Sequence, residues 1–534
     1  MRMYIARVPN RTSPPAILLR ESFREGGKVK SRTLANITSW APQRIEALDR
    51  ALHGDFDHAV LSEPTVGPVF GLLHVLKQIA DQIGISQALG GKEIGKLGLF
   101  LVLARIAHQG SRLSAVRWAE GHAVAEVLGL SGFDEDDLYA ALDDLAQRQE
   151  KIEQALYSRY LQQQKQPPRL FLYDVTSSYL EGEHNELGAF GYDRDGKRGK
   201  LQIVIGLLTD EQGEPLAVRV FEGNSADPTT VADQIKILRE QFQVTELVFV
   251  GDRGMVKSKG KQALNQAQLH YITALTDPQI RRLLGEGILQ LPLFSEAICE
   301  VEHEQLRYLL RKNESEALRI QRRLTDKLEK LQVRIQARNQ KLQQQPRCKP
   351  EAGLHQIRLW AQRHKIETLI QLQLEGDQVV LQRQEQAIAS HLQLAGCYVI
   401  TTDVAGTDMS SQQVHDSYMA LQRVERDFRA MKTGALEVRP IFVQKASRTR
   451  GHVFCCMLAL KLAREMEQRL RATFGTTGDN PHTVTLPDAL AALSRLCLLN
   501  YPASKSGEVV TKLPQPNDAQ RKILQALNLS LPRL

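Results

Sequence analysis

The stretch Phe171-Leu172-Tyr173-Asp174-Val175-Thr176-Ser177-Ser178-Tyr179 decides the fold. A run of strand-forming apolar residues leads to one carboxylate and then to three hydroxyl side chains, which reads as a strand ending in an aspartate. Leu247-Val248-Phe249-Val250-Gly251-Asp252-Arg253-Gly254-Met255 has the same form and ends in Asp252. Either aspartate alone reads as a turn residue. Two of them, each closing an apolar strand, read as a pair.

Working outward, Leu201–Leu208 and Leu216–Phe221 are strands joined by the turn Asp210-Glu211-Gln212-Gly213. Thr229–Gln241 is a helix, Glu246–Val250 a strand and His270–Ala274 another. The order β-β-β-α-β-α-β predicts a mixed sheet whose first three strands are antiparallel. Upstream, residues 1–50 hold a hairpin around Gly26-Gly27, and 51–168 turn helical. Gln162–Gln166 and Pro167-Pro168 close that region as a linker. The first part of the core is then 169–277, an insertion covers 278–395, the core resumes over 396–470, and 471–534 is a helical tail.

In the insertion, Ala317, Ile320, Leu324, Leu328, Leu331 and Ile335 recur at helical spacing among Arg319, Arg322, Arg323, Lys327, Lys330 and Arg334. This predicts a long basic amphipathic helix ending near Pro346, with a second helix around Gly353–Leu372 able to pair with it. Its charged face reads as a solvated surface or as a direct DNA contact. After the insertion, Cys397–Thr401 returns to strand and Ser410–Met431 reads as one polar helix. At about 100° per residue, Tyr418, Leu421, Glu425, Arg429 and Lys432 share one face of it. Asp427 lies about 200° round the helix from Glu425 and cannot replace it there.

Two strand-borne aspartates and a helical glutamate can hold a pair of divalent cations for phosphodiester chemistry. Arg429 and Lys432 are placed to touch phosphates, Tyr418 to pack on a sugar or base or simply to fill the core. The basic loop Arg194, Lys197, Arg198 and Lys200 lies between the first two core strands, where it reads as a DNA-backbone contact or a solvated loop. Asn224 and Asp227 read as turn residues that could also orient DNA.

These pieces carry a resemblance. Tyr173-Asp174-Val175-Thr176-Ser177, Gly191-Tyr192 through Gln202, Gly223-Asn224-Ser225-Ala226-Asp227, Asp252-Arg253-Gly254-Met255 and the Tyr418/Glu425/Lys432 signature resemble the DDE transposases of bacterial IS4-type insertion sequences, most closely the IS1634 group. The opening Gly26-Gly27-Lys28-Val29 through Arg32-Thr33-Leu34-Ala35-Asn36 is similar to that group as well. The resemblance implies an α/β fold with an RNase H-like mixed-sheet core, interrupted here by a mainly helical insertion and flanked by an N-terminal hairpin and helical region and by C-terminal helices. It implies Asp174, Asp252 and Glu425 as catalytic metal ligands for Mg²⁺, with Mn²⁺ able to substitute. It implies Tyr418 and Lys432 on the DNA, to which the reading adds Arg423, Arg429, Arg253, Lys197 and Arg198. The expected partners are double-stranded DNA with terminal inverted repeats, target DNA, and a second copy of the chain in the DNA complex. One departure stands out: the wider signature has an arginine three residues after the tyrosine, where this chain has Leu421, and Arg423 or Arg429 could supply the charge.

Composition agrees with that class. The 534 residues carry a formal net charge of +8, which favours a polyanionic partner. None of the six cysteines forms a CxxC pair, so they read as reduced thiols with no zinc site. No signal peptide, membrane span or GxxxxGK[ST] phosphate loop is visible. The expectation is a bacterial cytoplasmic protein, nucleoid-associated when on DNA, that needs no ATP. The alternatives are a transposase-derived DNA-binding protein without catalysis, an RNase H-like nuclease without strand transfer, and a scaffold built on the basic helix.

Overall fold

The computed structural model describes residues 2–532 except 11–13, 54–63, 165–166, 193–195, 198, 245–246, 254, 257, 268, 346–348, 433–435, 476–482 and 503–508. Contacts divide the chain into two compact units, Met1–Asp144 with Lys461–Leu534, and Leu145–Leu460. No helix among the described residues is long and apolar enough to cross a membrane.

The first unit opens on an antiparallel sheet, β1 (Arg2–Val8), β2 (Ala16–Glu25) and β3 (Lys28–Asn36). The expected hairpin is β2–β3. Its turn residues Gly26 and Gly27 have φ of +58° and +80°, the left-handed values that a tight hairpin turn demands and glycine accepts freely. A short strand, β4 (Thr65–Val69), lies in the region expected to be helical throughout.

The second unit is built on an eight-stranded mixed sheet. Its first strands are β5 (Leu170–Tyr179), β6 (Gln202–Asp210), β7 (Pro215–Glu222), β8 (Val248–Gly251) and β9 (His270–Ala274). They lie in the order β7-β6-β5-β8-β9. β6 runs antiparallel to both of its neighbours, β5 and β7, whereas β8 runs parallel to β5 and β9 parallel to β8. The helix Asp227–Lys236 continues as a π-helical turn, Ile237–Gln241, between β7 and β8. Side chains alternate across a strand. Phe171, Tyr173 and Val175 enter one core with Val231, Ile235, Leu238 and Leu264 from helices on that side. Asp174 therefore points to the opposite face.

The insertion corrects part of the expectation. Helices make up most of it, but it also holds β10 (Cys299–His303), β11 (Leu306–Lys312), β12 (Ile370–Glu375) and β13 (Gln378–Arg383). β10 and β11 extend the main sheet, because β11 pairs with the post-insertion strand β14 (Cys397–Thr402), which pairs in turn with β9. The long basic helix is present as Glu314–Gln344, burying Leu324, Leu328, Leu331 and Ile335 in a satellite core with Leu354 and Ile357 of its partner helix Pro350–Arg363. That partner stops nine residues short of the expected Leu372, because the chain turns into β12, whose Ile370 and Leu372 fill the same core.

The C-terminal tail is likewise not only helical. The helix Leu486–Leu493 is followed by β15 (Cys497–Pro502), flanked by β16 (Val509–Lys512) and by β4. Leu498, 1 % exposed, packs there with Phe70 and Ala123. Cys455 and Cys456 are buried core residues.

Candidate active site

The parallel pairing of β5 with β8 sets Tyr173 opposite Gly251, so the next residues, Asp174 and Asp252, stand side by side on neighbouring strands. The expectation that both end their strands holds for Asp252 only. Asp174 lies mid-strand, because Thr176, Ser177 and Ser178, which look like turn residues, are buried and carry β5 on to Tyr179 against β6. The effect on the site is the same: β8 stops at Gly251, and the sheet surface opens beside Asp174. The Asp174 carboxylate accepts from the backbone N–H of Val175 at 2.7 Å. Asp252 is exposed, and its carbonyl accepts from Met255 N at 3.1 Å, which shapes the turn after β8.

The polar helix is two helices, Ser411–Met419 and Leu421–Lys432. The break falls at Ala420, where the Arg423 N–H reaches back three residues to the Ala420 carbonyl at 2.9 Å. It lets the first helix lie over β8, β9 and β14 and the second over β5. The first helix brings its last turn to the aspartates: the Tyr418 hydroxyl donates to Asp252 Oδ1 at 3.2 Å. Burial, then the Asp252 charge, pushes the Tyr418 phenol up from its ordinary range, and the nearby Glu425 charge adds to the effect. The second helix buries Leu421, Val424, Asp427, Phe428 and Met431. Leu421 thus belongs to the buried face, while Glu425 and Arg429 are exposed and Lys432 is half-buried. Asp427 is 5 % exposed on the buried side, away from the Glu425 face.

A tether from the insertion holds the first of these helices. Arg307 on β11 is 4 % exposed and forks onto Glu300 of β10 at 2.6 and 2.9 Å. Its remaining donor reaches the Val404 and Met409 carbonyls at 3.0 and 2.8 Å. Glu300 also accepts from the Ser411 hydroxyl, in the first turn of the tyrosine helix, at 2.5 Å. One turn further, His415 Nε2 lies 2.9 Å from Arg311 of β11 and 2.8 Å from the Tyr398 hydroxyl of β14. Sequence reading missed these residues. The available signal was an arginine at the head of the apolar run Tyr308-Leu309-Leu310, a place where a charge needs a built partner.

The donors at the sheet opening are all carboxylate oxygens, a set that suits a hard divalent cation and not zinc. Among the described residues, no three His, Cys, Asp or Glu side chains are already close enough together to enclose an ion. The structure brings Asp174, Asp252 and Tyr418 together and leaves Glu425 exposed on the neighbouring helix. Of the other expected residues, Arg423 donates to the Glu211 carbonyl in the β6–β7 turn. Arg253 is half-exposed, 3.7 Å from Asp277. Lys197 is exposed, and Arg198 lies outside the described residues, as does Arg194. Asn224 is exposed after β7, and Asp227 opens the helix Asp227–Lys236.

The family model described as the transposase DDE domain matches residues 165–461. The model of the IS1634 family transposase N-terminal domain matches residues 5–60. No curated protein sequence matches the chain. Among solved structures, the chain is similar to the piggyBac transposase synaptic complex with hairpin DNA at 9 % identity and a TM-score of 0.36, over 79 % of this chain and 76 % of that one. It is also similar to the Mos1 transposase paired-end complex with left transposon end, at 12 % identity and a TM-score of 0.15, over 34 % of this chain and 58 % of that one.

Proposed function

Because the chain belongs to the DDE transposase family, in its IS1634 group, it is a DNA transposase, and we propose that Asp174, Asp252 and Glu425 are the carboxylates of its chemistry. The observation that carries this is the β5–β8 register, which sets the two aspartates side by side. The strand order β7-β6-β5-β8-β9, antiparallel then parallel, supports reading the core as RNase H-like.

Enzymes of this family cut DNA and join the freed end to a target, and they depend on a divalent metal. In the proposed reading the metal is Mg²⁺, with Mn²⁺ as a substitute, and it supplies charge neutralisation and Lewis-acid activation at the reacting phosphate. Asp174 and Asp252 would hold it from the sheet, and Glu425 would be the third carboxylate, offered from the neighbouring helix. Tyr418 fixes the Asp252 carboxylate through its hydroxyl. Arg429 and Lys432 take phosphates beside the scissile bond, and Arg253 and Lys197 take phosphates further along. Water cuts one strand at each element end, and the freed 3′-hydroxyl then attacks target DNA. Two ends must be processed together, so the working form is a homodimer on DNA with terminal inverted repeats. Its place is the bacterial cytoplasm, at the nucleoid.

The test is a duplex carrying the element's terminal repeat, incubated with the protein, Mg²⁺ and a target plasmid. Nicked ends and donor–target joints are expected. Nicks without joints would reduce the protein to a nuclease, and neither product would reduce it to a DNA-binding protein. Tyr418→Phe is expected to slow single-turnover cleavage only about tenfold, since it removes one long hydrogen bond to a carboxylate, worth about 1.5 kcal/mol, the low end for a charged partner. A loss of several hundredfold would give the hydroxyl a larger role than holding Asp252.

A further inference from the structure

Ser411, His415 and Tyr418 stand at steps of four and three residues on the helix Ser411–Met419, so they share the face turned to the sheet. Each is held at a different place. Ser411 reaches Glu300 of β10, Tyr418 reaches Asp252 after β8, and His415 lies between them against β11 and β14. Glu300 and Asp252 keep some exposure, whereas His415 is 6 % exposed and makes its contacts in the interior.

The partners of His415 fix its proton. Arg311 and Tyr398 stand opposite each other in the β11–β14 register, so their side chains lie on one side of the sheet. Both approach the same imidazole nitrogen, Nε2, at 2.9 and 2.8 Å. A guanidinium donates and cannot accept. Nε2 therefore accepts, and the ring proton sits on Nδ1, 3.1 Å from Asp416 Oδ1. Asp416 is held in turn by Gln412 Nε2, one turn back, at 2.8 Å. Burial pushes the Tyr398 phenol up from its ordinary range, so it keeps the proton that it donates. Arg311 has little room to follow a moving ring, because its Nε donates to the Glu296 carbonyl at 2.9 Å. The imidazole is thus a single uncharged tautomer with two donors converging on one nitrogen.

The consequence lies one turn on. His415 and Tyr418 are three residues apart, a rise of about 4.5 Å along a helix, so a shift of the imidazole passes to the tyrosine almost undiminished. The Tyr418 bond to Asp252, at 3.2 Å, is already longer than an ordinary O–H···O bond and tolerates little further movement. We infer that His415 is a positioning residue of the cleavage reaction: as an uncharged acceptor for Arg311 and Tyr398, it sets where the helix delivers Tyr418 against Asp252. The inference rests on the reading of Asp252 and its neighbours as the catalytic site.

The test is a double-mutant cycle on single-turnover cleavage of a saturating terminal-repeat duplex, with every protein assayed well below its Tm. His415→Leu should lower the rate about thirtyfold, as a misplacement of about 1 Å can, with duplex affinity unchanged. His415→Gln carries an amide oxygen that can take the place of Nε2 and should keep about a third of the native rate. His415→Asn is as polar but too short to reach Arg311 and Tyr398, so it should fall with the leucine variant, and it keeps the comparison if that variant does not fold. Combined with Tyr418→Phe, either slow variant should cost no more than it does alone, because the tyrosine bond is already lost. Losses that multiply in the double variant overturn the inference. So do leucine and asparagine variants that cleave like the native protein, a glutamine variant as slow as they are, or a fall in duplex affinity that matches the fall in rate. A native protein that binds the duplex without cutting it strikes the reading of the site and takes this inference with it.

Discussion

Asp174→Ala and Asp252→Ala should each lower DNA cleavage by more than about a thousandfold while leaving DNA-end binding intact or slightly tighter. The two aspartates sit side by side on parallel strands, so neither can take over the other's place. Removing a carboxylate from a surface that must approach phosphates also removes a repulsion, so affinity has no reason to fall. Glu425→Ala should behave in the same way, whereas Asp427→Asn should leave the metal dependence of cleavage unchanged, because Asp427 is buried on the other side of its helix. Asp252→Cys offers a sharper reading. A thiolate is a softer donor, so the variant should recover part of its activity with Mn²⁺ and little with Mg²⁺. Gel-shift and nicking assays on the same preparations separate binding from chemistry. Cleavage that survives in both aspartate variants would end the assignment.

Arg307→Ala should destabilise the second unit by about 3 kcal/mol, the low end for breaking a buried pair, because the Glu300 side chain is 22 % exposed. The loss reaches the site. With the guanidinium gone, the Val404 and Met409 carbonyls lose their donor and Glu300 loses its cation, which leaves the Ser411 hydroxyl bond to tie the start of the tyrosine helix to β10. Cleavage measured well below the variant's Tm should therefore fall more than end binding does. The pair also predicts an acid limit. The hydrogen bond from Arg307 holds Glu300 below the usual carboxylate range. A carboxylate depressed in the folded state stabilises it above the unfolded value, near about pH 4.3, and the contribution is lost as pH falls through the lower folded value. Below about pH 4 the difference in Tm between the native protein and Glu300→Gln should shrink, and thermal melts across pH 3 to 7 would show it. A constant difference would mean that Glu300 holds the helix without its charge.

The core strands and both aspartates were legible because β5, β6, β8 and β9 are apolar runs bounded by clear turns, and because Asp174 and Asp252 break those runs at matching places. The strands of the insertion were not, since Cys299-Glu300-Val301-Glu302-His303 alternates polar and apolar too briefly to stand out. β4 reads Thr-Val-Gly-Pro-Val, poor strand material, and its partner Asn500 lies 435 residues from Thr65. Only the packing of distant segments makes it a strand. The break at Ala420 was hidden for another reason. The helical pattern runs through it, and the division reflects the two parts of the sheet that the halves must cover. Thr176, Ser177 and Ser178 misled in the opposite direction, their hydroxyls suggesting a turn where the strand continues in the interior. At the site, sequence spacing put Tyr418 and Glu425 on one helix. The structure adds the contact that matters, the Tyr418 hydroxyl on Asp252.

The most direct measurement is anomalous diffraction from Mn²⁺ in crystals of the protein bound to terminal-repeat DNA. The account predicts two peaks roughly 3.5–4 Å apart at the β5–β8 opening, with oxygens of Asp174, Asp252 and Glu425 at about 2.1 Å. Peaks elsewhere on the unit, or a Glu425 carboxylate that stays in solvent while the ions bind, would contradict it.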